Sequence, residues 1–250
     1  MKFLDTIKQV AAAMRKLIAD KEDTTQVFII LQALAGNSGV RAYKRFLQSP
    51  DAEAILCADK ALIEWLRDRD WLAAQPSGSL ACAYHQFTER ENITADGLVA
   101  ASETGGRDYE TLSPRQRIYQ TRQRDAHDLW HVITGYGRDS LGELALLAVT
   151  WRQSGNIGLL LIIALGWRVT RKAAPHVKIW PVLREGFRRG KKGGNLPAAH
   201  WESLLSRPLD AVREELGFAA PPTAYRAFLK ANDAPESHDP ENADTKIAAE

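Results

Sequence analysis

The 250-residue chain is poor in cysteine, with only Cys57 and Cys82, in unrelated contexts and without Cys-x-x-Cys spacing. That excludes a disulfide framework and a thiolate zinc site, and it points to a reducing compartment. Net charge is nearly absent too, since 33 Lys and Arg face 31 Asp and Glu to leave +2. With near-neutral charge and no groove-reading motif, no nucleic-acid partner is expected. Long apolar runs are also lacking: the most apolar stretch, 157–167, is bounded by Asn156 and Arg168 and falls short of the roughly 20 residues a spanning helix needs. The N-terminus reaches an acid at Asp5, so no secretory signal is expected and the protein is placed in the cytoplasm. No strand-like alternation of useful length and no internal repeat occur. What remains, 45% hydrophobic and 26% charged residues, is enough to bury a core in one sizeable domain.

The apolar residues recur at helical spacing. Over 3–35 they fall at Ile7, Val10, Met14 and Ile18, then at Val27, Ile30, Leu31 and Leu34, which predicts two helices broken near Asp23-Thr24-Thr25. The pattern continues over 40–47 and 52–66, with Ser49-Pro50-Asp51 as stop and cap. Gln75-Pro76-Ser77-Gly78-Ser79 is turn chemistry, with a helix opening at Ser79. The polar, aperiodic stretch 96–115 reads as a loop or short turns, and helix returns over 116–130. Past Gly190, the Gly-Lys-Lys-Gly-Gly-Asn run reads as a flexible hinge. Short helices near 201–205 and 209–216 close the domain, and the acidic tail from Asp233 reads as disordered. The expected fold class is all-α, one helical domain over 1–230 followed by a tail over 231–250.

The apolar stretch 157–167 has two readings, a buried core helix, or a helix that lines a lipid pocket or dips into a bilayer surface. A basic run follows it: Arg168, Arg171, Lys172, Lys178, Arg184, Arg188, Arg189, Lys191 and Lys192, with Glu185 the only acid among them. Beside Trp167 and Trp180, these cations suit an anionic membrane surface, at about 1 kcal/mol each.

One segment carries metal chemistry. On a helix, His127 and His131 lie about 40° apart and share a face, with Asp128 beside them, the arrangement of His-x-x-x-His metal helices. Glu143, twelve residues beyond His131, would sit about 18 Å away on a straight helix. Gly135 and Gly137 supply a break, so that a second helix starting near Ser140 can bring Glu143 back. Two imidazoles and two carboxylates would neutralise a divalent cation. Without sulfur the set admits zinc, iron, manganese or cobalt, and does not choose among them. The bland alternative makes His127 a partner of Asp125 and Glu143 a helix cap. His85, His176, His200 and His238 have no metal spacing.

These residues carry a resemblance. His127-Asp128-x-x-His131 followed by Glu143, with Gly135, Leu141-Gly142-Glu143 and Trp151, resembles the signature of the ubiquinone (coenzyme Q) biosynthesis family known as Coq-four. Pro76-x-Gly78-Ser79 leading to Tyr84 and Phe87 is similar to the family's turn and following helix. A third likeness runs through Trp201-Glu202, Pro208-Leu209 and Arg213-x-x-Leu216-Gly217. Ser79 and Ala81 depart from the expected Thr and Gly, and the metal pattern is intact. The resemblance implies an all-helical protein, peripheral on the inner membrane, that oxidatively decarboxylates a polyprenylated 4-hydroxybenzoate at ring carbon one. It implies His127, Asp128, His131 and Glu143 as metal ligands and as the catalytic set, zinc ahead of iron, manganese or cobalt, and molecular oxygen as a co-substrate. It also implies work beside other ubiquinone biosynthesis enzymes, or a non-catalytic lipid-binding scaffold for them; a homodimer is a further expectation. For the polyprenylated aromatic lipid, the candidate contacts are Arg124, Tyr136 and Arg138 near the metal and Leu159, Leu160 and Ile163 along the tail. The arginines have a competing reading as partners of Asp125 and Asp139, and Tyr136 as a packing residue.

Overall fold

The computed structural model describes residues 2–20, 23–104 and 112–232. These residues form sixteen α-helices and one 3-10 turn, and the described residues contain no strand beyond an isolated bridge between Ser79 and Pro208. The first helices are α1 (Lys2–Ala19), α2 (Thr24–Ala33), α3 (Ser38–Phe46), α4 (Ala52–Leu56), α5 (Leu62–Arg67), α6 (Arg69–Ala73), α7 (Leu80–Arg90) and α8 (Ala95–Thr104). The central ones are α9 (Pro114–Asp125), α10 (His127–Thr134), α11 (Ser140–Ser154), α12 (Ile157–Ala173) and α13 (Ile179–Lys192). The chain closes with α14 (Trp201–Leu204), α15 (Leu209–Glu215) and α16 (Thr223–Ala231).

The buried α11 is the hub, lying against α13 and α12. Its approach to α13 is backbone-close because Gly186 and Gly190 lack side chains: a Cβ there would come within 2.5 Å of the Ala145 carbonyl oxygen and 2.7 Å of Val149 Cα. The α1–α2 hairpin forms a separate layer, in which Ala13 and Ile30 pack on Ile162 of α12. Glu185, the single acid of the basic run, is buried and accepts hydrogen bonds from Thr223 Oγ1 (3.0 Å), Ala224 N (3.1 Å) and Tyr225 N (3.3 Å), fixing the start of α16.

Several expectations are corrected. Residues 52–66 make two helices, because the Ala61 amide turns to the Glu64 carboxylate (2.9 Å) and starts α5. Much of 96–115 is helical, as α8 and the start of α9; α8 is carried by packing against α2 and α9. The helix expected over 116–130 is interrupted at Ala126, and its two parts are anchored separately: Arg122 ties α9 to Glu202 and to the Ala199 carbonyl, while Arg189 of α13 donates to the Thr134 carbonyl at the end of α10. The supposed hinge is no hinge. Helix α13 runs through Gly190, and Gly194 N bonds the Leu216 carbonyl at 2.7 Å, while Gln153 holds the carbonyls of Gly190 and Gly194. The expected tail lies outside the described residues from 233 onward, and α16 itself extends to Ala231. Among the described residues, no helix is long and apolar enough to cross a membrane.

Candidate metal centre

The centre is an elbow between two helices. Gly135 ends α10 in the left-handed region (φ 70°), which a residue with a side chain adopts only at a cost. The chain then folds back, and Asp139 Oδ1 caps α11 by accepting from Leu141 N (3.0 Å) and Gly142 N (3.1 Å). Glu143 therefore sits in the first turn of α11. Its Oε1 is 3.4 Å from His131 Nε2 and its Oε2 is 3.9 Å from His127 Nε2. One ligand atom from each of His127, Asp128 and His131 lies within 4.8 Å of the others.

His131 is held from three sides. Its Nδ1 is 2.9 Å from the Tyr136 carbonyl, which places the proton on Nδ1 and leaves the Nε2 lone pair toward Glu143. Phe87 stacks on the ring at 5.6 Å between centroids, and His127 meets it edge-on at 4.9 Å. The Nε2 atom is buried without a hydrogen-bond partner, and the buried Asp128 carboxylate makes no hydrogen bond with any described residue. An orphaned imidazole nitrogen grouped with a second imidazole and the Asp128 carboxylate, with Glu143 beside both histidines, fits a divalent cation, and the Tyr136 carbonyl orients the His131 ring for that role.

The electrostatics follow from burial and crowding. Burial, then the neighbouring His131, hold His127 below the ordinary imidazole value. Burial acts on His131 in the same direction, but the adjacent Glu143 carboxylate, with Asp128 and the Tyr136 carbonyl, outweighs it and lifts His131 above that value. Burial pushes Glu143 up, and His131, His127 and Arg138 together bring it below the usual carboxylate range.

A cavity of about 1090 Å³ opens from this elbow. His127, Asp128 and Glu143 line one part of it, and apolar side chains including Leu17, Val27, Leu31, Ile162 and Leu165 wall the rest. Of the expected tail contacts, Leu159 lines the cavity, whereas Leu160 and Ile163 turn to the main core. Arg124 and Arg138 both line it. Arg124 is ion-paired with Asp125 at 2.7 Å in a buried pair. Arg138 is half-buried and pairs with no described residue, because Asp139 is spent on the α11 cap and on the Tyr225 hydroxyl. The Tyr136 ring is turned into the core under Arg189, 5.2 Å from the guanidinium carbon, and burial pushes its hydroxyl up to about 12.

Sequence reasoning missed the outer shell. The roles of Phe87 and the Tyr136 carbonyl, and the cavity walls from α1, α2 and α8, were not expected. A signal existed only for Phe87, within the Tyr84-x-x-Phe87 motif; burial, then the charges of Asp128 and Asp125, raise the Tyr84 hydroxyl.

Residues 5–222 match the family model described as coenzyme Q (ubiquinone) biosynthesis protein Coq4. Among similar proteins, the mitochondrial ubiquinone biosynthesis protein COQ4 of Meyerozyma guilliermondii is 26% identical over 201 residues, covering 78% of this chain and 60% of that protein. Its counterpart in Pyrenophora tritici-repentis is 27% identical over 209 residues, covering 82% and 68%. The Danio rerio homologue is 26% identical over 199 residues, covering 76% and 68%. The chain thus spans about 60–68% of the length of these relatives. A crystal structure described as a candidate ubiquinone biosynthesis protein from Nostoc punctiforme shares the fold, with TM-score 0.60, 21% identity, and coverage of 85% of this chain and 98% of that one. The family match runs through the elbow and through every helix that walls the cavity, and the chain belongs to the Coq4 family of coenzyme Q (ubiquinone) biosynthesis proteins.

Proposed function

We propose that this chain oxidatively decarboxylates a polyprenylated 4-hydroxybenzoate, replacing the carboxylate at ring carbon one with a hydroxyl. Carbon dioxide leaves, one atom of molecular oxygen becomes the ring hydroxyl, and the other leaves as water with two electrons and two protons from a reductant. The observation that carries this reading is a metal-type donor set on the wall of a large apolar cavity. His127, Asp128, His131 and Glu143 would hold a divalent ion, zinc ahead of iron, manganese or cobalt, which would supply Lewis-acid stabilisation of negative charge. Asp128 and Glu143 balance its charge, and the Tyr136 carbonyl keeps the His131 Nε2 lone pair available. The cavity, about 1090 Å³, stands at the top of the ~300–1,000 Å³ range of small-molecule sites. That volume suits a prenyl tail along Leu159, Ile162 and Leu165, whose side chains exclude water.

The surface supports delivery from a membrane. Trp180 and Trp167 are 61% and 38% exposed, and Arg168, Arg171, Lys172, Lys178, Arg184 and Arg188 are exposed while Glu185 is buried. Val169 and Thr170, between two of these cations, line the cavity. An anionic membrane surface is the fitting partner, with peripheral attachment beside other ubiquinone biosynthesis enzymes and a homodimer as the assembly.

The test compares wild type with Glu143→Ala. Bound metal is measured by elemental analysis, and each protein receives 4-hydroxy-3-polyprenylbenzoate, air and a reductant, with carboxylate loss followed by mass spectrometry. About one metal per chain and turnover in wild type alone supports the reading. Metal with bound but unchanged lipid favours the scaffold role, and neither metal nor lipid overturns the assignment.

A further inference from the structure

We propose that Arg138, and not Arg124, grips the ionised carboxylate of the aromatic substrate, so that this one side chain selects ligands bearing that group; the inference rests on the function proposed above. Both arginines line the cavity, and by sequence they are equivalent, each beside an aspartate. The structure separates them. Arg124 donates to Asp125 Oδ1 at 2.7 Å and to Ser102 Oγ at 3.2 Å, so its charge is already matched. Its neighbour Asp125 is buried with it.

Arg138 has no such match. It makes no hydrogen bond or ion pair with a described residue, although it is half-buried. The adjacent Asp139 is committed elsewhere: Oδ1 takes the amides of Leu141 and Gly142, and Oδ2 takes the Tyr225 hydroxyl. Yet Arg138 is close enough to both His127 and Glu143 for its charge to act on each. Arg138 thus presents to the cavity guanidinium donors that no described residue takes up, and an anion entering beside it can accept them.

Donor geometry, more than net charge, names the ligand. Arg138 and Asp139 offset each other in charge at this end of the cavity, but the Asp139 carboxylate is turned to the α11 amides and the Tyr225 hydroxyl, so the Arg138 guanidinium donors are left to face an incoming anion. A planar guanidinium fork matches a carboxylate through two parallel hydrogen bonds, which an uncharged phenol cannot accept. Selection by such a group is steep, because a ligand lacking the carboxylate leaves the guanidinium unsatisfied.

The test is a binding measurement without turnover. Zinc-loaded wild type, Arg138→Gln and Arg138→Lys are titrated under nitrogen with 4-hydroxy-3-prenylbenzoate and with its decarboxylated counterpart, 2-prenylphenol, followed by calorimetry. The expected result is that Arg138→Gln weakens the benzoate about ten- to a hundredfold and the phenol less than about twofold, with Arg138→Lys recovering part of the loss. Equal weakening of both ligands, or of neither, overturns the assignment of Arg138 while leaving the proposed function standing. If wild type binds neither ligand, the function itself fails and the inference falls with it. Circular dichroism and zinc content of each variant confirm that the elbow is intact.

Discussion

Replacing Tyr225 by phenylalanine tests how the elbow that carries the proposed ligands is held. The Tyr225 hydroxyl accepts from Gly137 N at 3.0 Å and donates to Asp139 Oδ2, while Asp139 Oδ1 caps α11. Phenylalanine keeps the ring contacts, with Tyr136 at 5.5 Å and Phe228 at 6.4 Å, so little packing is lost. The bond to a carboxylate contributes about 1.5–3 kcal/mol, and the orphaned, buried Gly137 amide costs about 1–3 kcal/mol more. Because the elbow relaxes, a combined loss of about 3 kcal/mol is expected, which for a chain of this size lowers Tm by roughly 6–12 °C. Glu143 follows Asp139 by four residues, so zinc affinity should fall about tenfold, as for other outer-shell disruptions. Urea and thermal unfolding by circular dichroism, with a competitive zinc titration, read both quantities. A variant within about 0.5 kcal/mol of wild type, the range of inert surface changes, would refute the reasoning.

Four further outcomes follow from the same geometry. Zinc at a hundred times its Kd should stabilise wild type by about 2.7 kcal/mol and leave His131→Ala unshifted in thermal unfolding; an equal shift in both places the ion elsewhere. In the metal-free protein, the Glu143 contribution is present above about pH 4.3 and is lost as pH falls through its depressed folded value, whereas that of His131 is present below about pH 6.5 and is lost as pH rises through its raised value. The stability difference between wild type and Glu143→Gln should therefore be largest in weak acid and shrink on both sides, as urea unfolding across pH will read. Trp180→Ser with Arg168→Glu and Arg171→Glu should reduce cosedimentation with anionic vesicles severalfold, and unchanged cosedimentation would remove that face from the membrane reading. Leu159→Trp should fill part of the cavity and weaken long-tailed ligands more than short ones, with zinc content unchanged.

The meeting of His127, Asp128, His131 and Glu143 and its helix-break-helix frame were legible because each rests on local chemistry: His127 and His131 one helical turn apart, glycine at 135 and an aspartate cap at 139. The interruption at Ala126 was not, because alanine is a good helix former and the contacts that anchor α9 and α10 separately, Arg122 to Glu202 and Arg189 to Thr134, are made across the fold. The glycines near 190 misled for a similar reason. A run rich in glycine reads as flexible, yet Gly190 is there to let α13 lie on Val149. The two arginines could not be ranked from spacing, since only the folded chain shows that Asp139 is taken by Tyr225 and the α11 amides. The cavity walls from α1 and α2 were equally hidden, because an amphipathic pattern states that a face is covered without stating by what.

All four proposed ligands come from one short stretch, 127–143, whereas much of the opposing cavity wall comes from α1, α2, α8 and α12. On the proposed function, reactivity and ligand length would be written in different segments of the gene product. Drift in the wall residues would then retune the accommodated tail while the elbow is inherited unchanged, and an engineer could alter one without redesigning the other.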